Sequence, residues 1–275
     1  MLIDLHCHSD YSDGAFPAAE LIANANSQKL ELFAITDHDT CLSNTALERD
    51  FVGQSIKGVE VTAMDEANGS NTGKSQTRHL LVFHSDRSKD WSLFADRLKD
   101  VQLARKDRVH KIVEVLADDG IEIKNTDFLN TQKTLGRPDV AKALVREGIA
   151  KNLNDAFKRF LFDGGKADLP VDGFSVSECL SLAEAAGGVV SLAHPHQYEA
   201  EAFIKSYKPK GLSGLEVYYG PYKSKQKRKF RQLAQKHDLV MTGGSDFHGN
   251  GRLKPELGIE YPEEYRESIE RWLNL

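Results

Sequence analysis

Short apolar runs bounded by polar or glycine-bearing stretches recur along the chain, and between most of them apolar residues return every three or four positions. "MLIDLHC" (1–7) has the run of a buried strand, "FPAAELIANANSQK" (16–29) the spacing of a helix with Pro17 near its start, and "LELFAITD" (30–37) that of a second strand. Further strands are predicted in "SIKGVEVTA", "RHLLVFHS", "GGVVSLAHP", "SGLEVYY" and "DLVMTGGSD". Strands alternating with helices of about ten to fifteen residues imply parallel pairing through right-handed crossovers. The expected fold class is therefore α/β, a (β/α) barrel or a doubly wound sheet.

The rhythm breaks in the middle. Between 91 and 170 the helical patterns "DWSLFADRLKDVQLARKDRVHKIVEVLADDG", "RPDVAKALVREG" and "NLNDAFKRFL" follow one another with no run of sheet. They predict an inserted helical cap over a barrel mouth, the barrel itself being formed by 1–90 and 171–275. A polar stretch, "EANGSNTGKSQT" at 66–77, reads as a mobile loop. The sequence shows no internal repeat.

Composition narrows the function mostly by exclusion. The 275 residues are 40% hydrophobic and 28% charged, with no apolar run near the roughly 20 residues of a membrane span. The N-terminus lacks the basic segment and apolar run of an export signal, so the cytoplasm is the expected location. Cys7, Cys41 and Cys179 form no C-x-x-C pair, which argues against a disulfide framework and a thiolate zinc site. A net charge of −5 argues against a large nucleic-acid-coating surface, while leaving room for a local basic cleft.

The candidate chemistry lies at strand ends. His6 and His8 close the first strand, His38 follows the second in "TDHD", Glu60 lies in the third, His79 opens the fourth, and His194 closes "VVSLAHP". Asp13 follows the first pair, and Asp246 and His248 complete "GGSDFH". Because side chains alternate along a strand, His6 and His8 point to one side and Cys7 to the other, so H-x-H delivers two imidazoles to one ion. Six of the ten histidines share such placement, and together with three carboxylates they make a metal site the expectation. His84, His110, His196 and His237 do not share it.

The ordered set "DLHCHSDYSDG", "AITDHDT", the Glu of "GVEVT", "HLLVF", "LAHP" and "GGSDFHG" resembles the PHP superfamily, named for polymerase and histidinol phosphatase, over nearly the whole chain. Within it the chain is similar to stand-alone nucleoside 3′,5′-bisphosphate phosphatases and 5′→3′ exonucleases on short RNA, which carry a helical insertion in this place. The resemblance implies a distorted seven-stranded (β/α) barrel with three divalent ions, usually manganese. His6, His8, Glu60 and Asp246 would hold one ion, Glu60, His79 and His194 a second, and Asp13, His38 and His248 a third.

That site makes chemical sense on its own. Three divalent cations facing three carboxylates leave a surplus of positive charge for a hydroxide and a phosphate, and mixed nitrogen and oxygen donors suit Mn, Fe or Zn better than Mg. A metal-bridging hydroxide would supply the nucleophile for phosphate-ester hydrolysis. Asp37 is expected to orient a ligating imidazole, or to cap its loop. In the insertion, Arg137 precedes a helix begun by Pro138, where guanidinium and free backbone N–H groups would face phosphate. The family pattern there is Gly-Arg-Pro-His, so Asp139 is a departure expected to weaken one anion contact. Arg159 in "FKRFL" matches a second family arginine expected to bind substrate, with Lys166 a weaker candidate.

The basic runs "RKDRVHK" and "YKSKQKRKFRQ" read as solvated helix faces. Partners are thus a small phosphorylated nucleoside or a short RNA, with phosphate as product and no membrane. The alternatives are a histidinol-phosphate phosphatase with the same ligands, an amidohydrolase with one or two ions, and a non-catalytic scaffold, for which lost ligands would be expected.

Overall fold

The computed structural model describes residues 1–67, 77–249 and 256–275. Positions 68–76 of the predicted loop lie outside them. The strands are β1 (Leu2–Asp4), β2 (Leu32–Phe33), β3 (Gln54–Ser55), β4 (Gly58–Met64), β5 (Thr77–His84), β6 (Phe174–Ser175), β7 (Gly188–Leu192), β8 (Leu212–Tyr219), β9 (Val240–Gly244) and β10 (Ile259–Glu260). The helices are α1 (Ala18–Ser27), α2 (Asn44–Asp50), α3 (Ser92–Asp118), α4 (Arg137–Arg146), α5 (Leu153–Arg159), α6 (Val176–Ala185), α7 (Ala200–Tyr207), α8 (Ser224–Lys236) and α9 (Arg266–Leu273). None of these helices is long and apolar enough to cross a membrane.

Local chemistry explains several boundaries. Pro17 precedes α1, whose Ala18, Leu21, Ile22 and Ala25 form one buried stripe. The Ser175 hydroxyl accepts the Glu178 N–H while the Glu178 carboxylate reaches back to the Ser175 N–H, which closes the start of α6. Asn152 caps α5 by accepting the Asp155 N–H.

The strands form two sheets, ordered β10-β1-β2-β3 and β6-β4-β5-β7-β8-β9. The expectation of parallel pairing throughout is corrected: β5 runs antiparallel to both β4 and β7, and β10 antiparallel to β1. The reversal matters for the site. His79, near the start of β5, is opposite Thr62, toward the end of β4, and so reaches the rim where its antiparallel neighbours β4 and β7 end.

The sheets meet at two joins, each an isolated parallel pair: Cys7 with Phe247 and His38 with Glu60. Hydrogen bonds from His8 N to Phe247 O (2.9 Å), Asp246 N to His6 O (2.7 Å) and Asp39 N to Glu60 O (2.9 Å) reinforce them.

The main core joins both sheets to the first turns of α3 through Phe94, Leu98 and Val101. The later turns of α3 (Val109, Ile112, Leu116) belong to a second cluster with Val140 and Leu144 of α4, Ala156 of α5 and Leu161. No strand interrupts 91–170.

Candidate metal centre

Glu60 is the hub. Its Oε1 lies 2.9 Å from His79 Nδ1 and 3.1 Å from His194 Nε2, and its Oε2 lies 3.1 Å from His38 Nδ1, 3.2 Å from His8 Nε2 and 3.3 Å from His6 Nε2. Two further carboxylates flank it. Asp246 Oδ1 is 3.4 Å from His6 Nε2, 3.3 Å from His8 Nε2 and 3.5 Å from His248 Nδ1; Asp13 Oδ1 is 3.1 Å from His248 Nε2 and 3.8 Å from His38 Nε2. All nine residues with metal-ligand expectations thus meet at one rim. The grouping differs from the expectation in detail: His8 also falls with Asp13, His38 and His248, and His38 with Glu60 and His79.

The donor set is one that could hold cations. His6 Nε2, His8 Nε2 and His38 Nδ1 are buried without a hydrogen-bond partner, an arrangement that costs free energy unless an ion accepts their lone pairs. Imidazole nitrogens mixed with carboxylate oxygens suit a transition-metal ion.

Charge is strongly coupled here. Burial opposes a proton on His6, but Glu216, Glu60 and Asp246 outweigh it and hold its pKa well above the ordinary imidazole value. Burial opposes a charge on His8 too, yet Asp246 and Glu60 push it up to about 10. His38 moves the other way, driven well down by burial. Glu60, Asp246 and Asp13 are held well below the carboxylate range by the surrounding imidazoles, which outweigh their burial.

Backbone conformation helps to aim the donors. His194 (φ +28°), Asp246 (φ +54°) and Asp39, next to His38 (φ +50°), all have positive φ, which is costly for non-glycine residues. The conformation at His194 is held by Glu216, fully buried in β8, which accepts the His194 N–H at 2.6 Å and pairs with His6 Nδ1 at 2.8 Å. With both Glu216 oxygens accepting, His6 would keep a proton on Nδ1 and have Nε2, on the side of Glu60 and Asp246, to give to an ion. Asp39 is gripped by three groups: its carboxylate accepts the Thr62 N–H at 2.8 Å and pairs with Arg105 at 2.5 Å, and its carbonyl accepts Gln102 Nε2 at 3.0 Å.

Glu216 was missed by sequence reasoning, although a glutamate inside the apolar "GLEVYY" strand was a readable signal, since a buried charge needs a partner. A glutamine there would offer one acceptor in place of two. In Glu216→Gln we expect metal affinity to fall about 10- to 100-fold with the fold retained, measured by competition with a chromogenic chelator; unaltered affinity would remove Glu216 from this role.

Asp37 is fully buried and accepts Ser9 N, Ser9 Oγ and Ser12 Oγ, each at 2.7 Å. It touches no imidazole directly; Ser12 Oγ stands 3.4 Å from His8 Nδ1, so Asp37 secures the loop and reaches the ring through Ser12. Tyr219 donates to Asp246 Oδ2 at 2.6 Å, and Tyr198 OH lies 3.4 Å from His194 Nδ1. Both tyrosines were unassigned from sequence.

A cleft of about 800 Å³ runs from Asp13, His38 and His79 to the helical layer, where Arg105, Arg108, Arg137, Asp139 and Phe157 line it. Arg137 donates to Asp163 Oδ1 at 2.7 Å and to Leu161 O at 3.2 Å. Asp139 accepts the Gly136 N–H at 2.9 Å and pairs with Lys133 at 3.1 Å, so the residue replacing the family histidine secures the start of α4. Arg159 is placed elsewhere: it bonds Ile149 O at 3.0 Å and Asp155 at 3.1 Å, stacks on Phe160, and does not line the cleft. Lys166, largely exposed, pairs with Asp119.

The reading of "RKDRVHK" as a solvated face is corrected for two residues. Asp107, His110 and Lys111 are exposed, but Arg105 and Arg108, three positions apart on α3, turn together into the cleft wall. Lys223, just before α8, and Lys225, Arg228 and Lys229 on it are exposed, as expected.

Fold and site together define an α/β protein with a polyhistidine–carboxylate cluster, fit to hold metal ions, at a strand rim. The chain belongs to the PHP domain family, whose profile matches residues 4–274. It is 27% identical to a 3′,5′-nucleoside bisphosphate phosphatase of Chromobacterium violaceum, over 93% of this chain and 90% of that one. It is 28% identical to a 5′-3′ exoribonuclease of Haemophilus influenzae, over 89% of each. A crystal structure of a Bifidobacterium adolescentis protein designated a metal-dependent phosphoesterase superposes with a TM-score of 0.77 at 28% identity, over 98% of this chain and 96% of that one. A Chromobacterium violaceum structure designated an amidohydrolase, with bound sulfate and no metal, gives 0.80 at 26% identity over the same shares.

Proposed function

We propose that this protein is a metal-dependent phosphoesterase acting on small phosphorylated nucleosides, with 3′,5′-bisphosphates foremost, or on the 5′ ends of short RNA. The carrying observation is Glu60 between five imidazoles, beside a cleft that leads to arginines. The reading takes three divalent ions, manganese first with iron or zinc as alternatives, and treats the two joined sheets as one distorted barrel capped by the 91–170 helices. Divalent ions held by His6, His8, Asp13, His38, Glu60, His79, His194, Asp246 and His248 would lower the pKa of water toward neutrality and stabilise charge on phosphoryl oxygens.

The chain's own groups do the rest. Arg137 and the N–H groups opening α4 bind the phosphate, with Arg137 exchanging its Asp163 contact for substrate oxygens. Glu216 and Tyr219 keep His6 and Asp246 aimed. Phe157 and Leu169 give the cleft an apolar wall for a base and exclude water from that side. The cytoplasm, where free thiols such as Cys7, Cys41 and Cys179 persist, is the location this reading favours.

Manganese-loaded protein is expected to release phosphate from adenosine 3′,5′-bisphosphate at least about tenfold faster than from histidinol phosphate, a gap of some 1.4 kcal/mol in barrier. The opposite order would make it a histidinol-phosphate phosphatase. Loaded protein that leaves every phosphoester intact would return it to the amidohydrolase reading.

A further inference from the structure

Positions 199–238 hold ten lysines and arginines against four carboxylates, in a chain whose net charge is −5. Glu216 is one of the four and is fully buried, and Glu201 is held by Lys205 at 3.2 Å and Lys236 at 2.8 Å. The surplus gathers on α8. Lys225, Arg228, Lys229, Gln232 and Lys236 fall three and four positions apart and so share one helix face. Lys225, Arg228 and Lys229 are exposed and pair with no carboxylate among the described residues. Like charges at such spacings repel, a cost that a polyanion lying along the face would remove.

This face borders a groove. Lys229, Gln232, Leu233 and Lys236 form one wall of a hollow of about 370 Å³, and Tyr198 with the start of α7 forms the other, where Glu199 is the remaining carboxylate. Tyr198 also touches the metal centre: its hydroxyl accepts the His79 N–H at 3.2 Å and lies 3.4 Å from His194 Nδ1. The head of α8 is equally close. Tyr219, which ends β8, donates to Asp246, and Tyr222 OH accepts the N–H of His196, two residues beyond His194, at 3.0 Å. Lys223 follows directly. Because β9 runs parallel to β8, α8 carries the chain back from the rim, about 20 Å over its 13 residues. The basic face therefore starts beside the metal centre and leads away from it, and none of its residues lines the cleft walled by Arg105, Arg108 and Arg137.

Resting on the phosphoesterase reading, we propose that the α8 face of Lys225, Arg228 and Lys229 is a docking surface for the 3′ portion of a single-stranded RNA whose 5′ end is at the metal centre. A row of cations tracks a single-strand backbone by neutralising successive phosphates. A mononucleotide occupies the centre alone and does not reach the row. The surface therefore acts only on oligonucleotides, and it makes the length of the RNA a determinant of its affinity.

The test compares wild type with a variant combining Lys225→Gln, Arg228→Gln and Lys229→Gln, both loaded with manganese, on 5′-phosphorylated pentauridylate and on adenosine 3′,5′-bisphosphate. At low salt kcat/KM for the pentamer should fall at least about tenfold, and for the bisphosphate less than about twofold. The slope of log affinity for the pentamer against log salt should become shallower by about 2, three single-strand phosphate contacts having been lost. Lys229→Gln alone should flatten it by about 0.7, and decides the matter if the triple variant does not fold. Equal losses on both substrates, or none on either, overturn the proposal. Capture of phosphatidylglycerol vesicles by the row, with no binding of the RNA, overturns it too. If wild type cleaves neither substrate, the phosphoesterase reading fails alone. Fluorescence anisotropy with 3′-labelled pentauridylate then decides the inference: binding at least about tenfold weaker in the variant upholds it, and equal binding sinks it.

Discussion

Replacing Glu60 by alanine is expected to lower manganese-supported phosphate release by at least about 1000-fold. No other side chain in the cluster has five imidazole nitrogens within 3.3 Å of its oxygens. Loss of this carboxylate would leave those rings without their shared negative charge, so the damage would reach every ion position that Glu60 borders. Asp246 serves three rings at 3.3 to 3.5 Å, and its replacement should be milder. The measurement is steady-state phosphate release beside metal content by emission spectrometry. A variant with full metal content and less than about a tenfold loss would remove Glu60 from the centre of the chemistry.

Removal of the ions is the second large effect. Exhaustive chelation should abolish activity, and restored manganese should return it. The metal-free protein should also lose about 4 kcal/mol of stability relative to protein in free metal at roughly 1,000 times its Kd. The reason is the local charge balance. Without cations, protons on His6 and His8 are what offsets Glu60 and Asp246, and His38 is left buried and neutral among acceptors. Calorimetric melts with chelator and with manganese check this. Identical melts, with metal loss verified, would mean that the cluster does not bind its ions in the folded state.

Much of the centre was legible because ligation leaves a mark at strand ends. An imidazole that closes an apolar run, as His194 closes "VVSLAHP", is unusual enough to read from one chain. What could not be read was direction. The direction of β5 shows only in its pairing with β4 and β7, and a two-residue strand such as β3, β6 or β10 is too short to show any period. The arginines were misread for a related reason. A charge run fixes that a helix has a polar face, but Arg105 lies against Asp39, which is 63 sequence positions from Gln102 on the same helix, and only tertiary contact reveals that part of the run is wall. Glu216 was passed over because it sits mid-strand, away from the ends where ligands were sought.

The two joins between the sheets have a mechanical consequence. One is flanked by His6, His8, Asp246 and His248, and the other is formed by His38 and Glu60 themselves. Cations seated there would act as rivets along both seams, so the assembly of the scaffold and the loading of its reactive centre would be a single event.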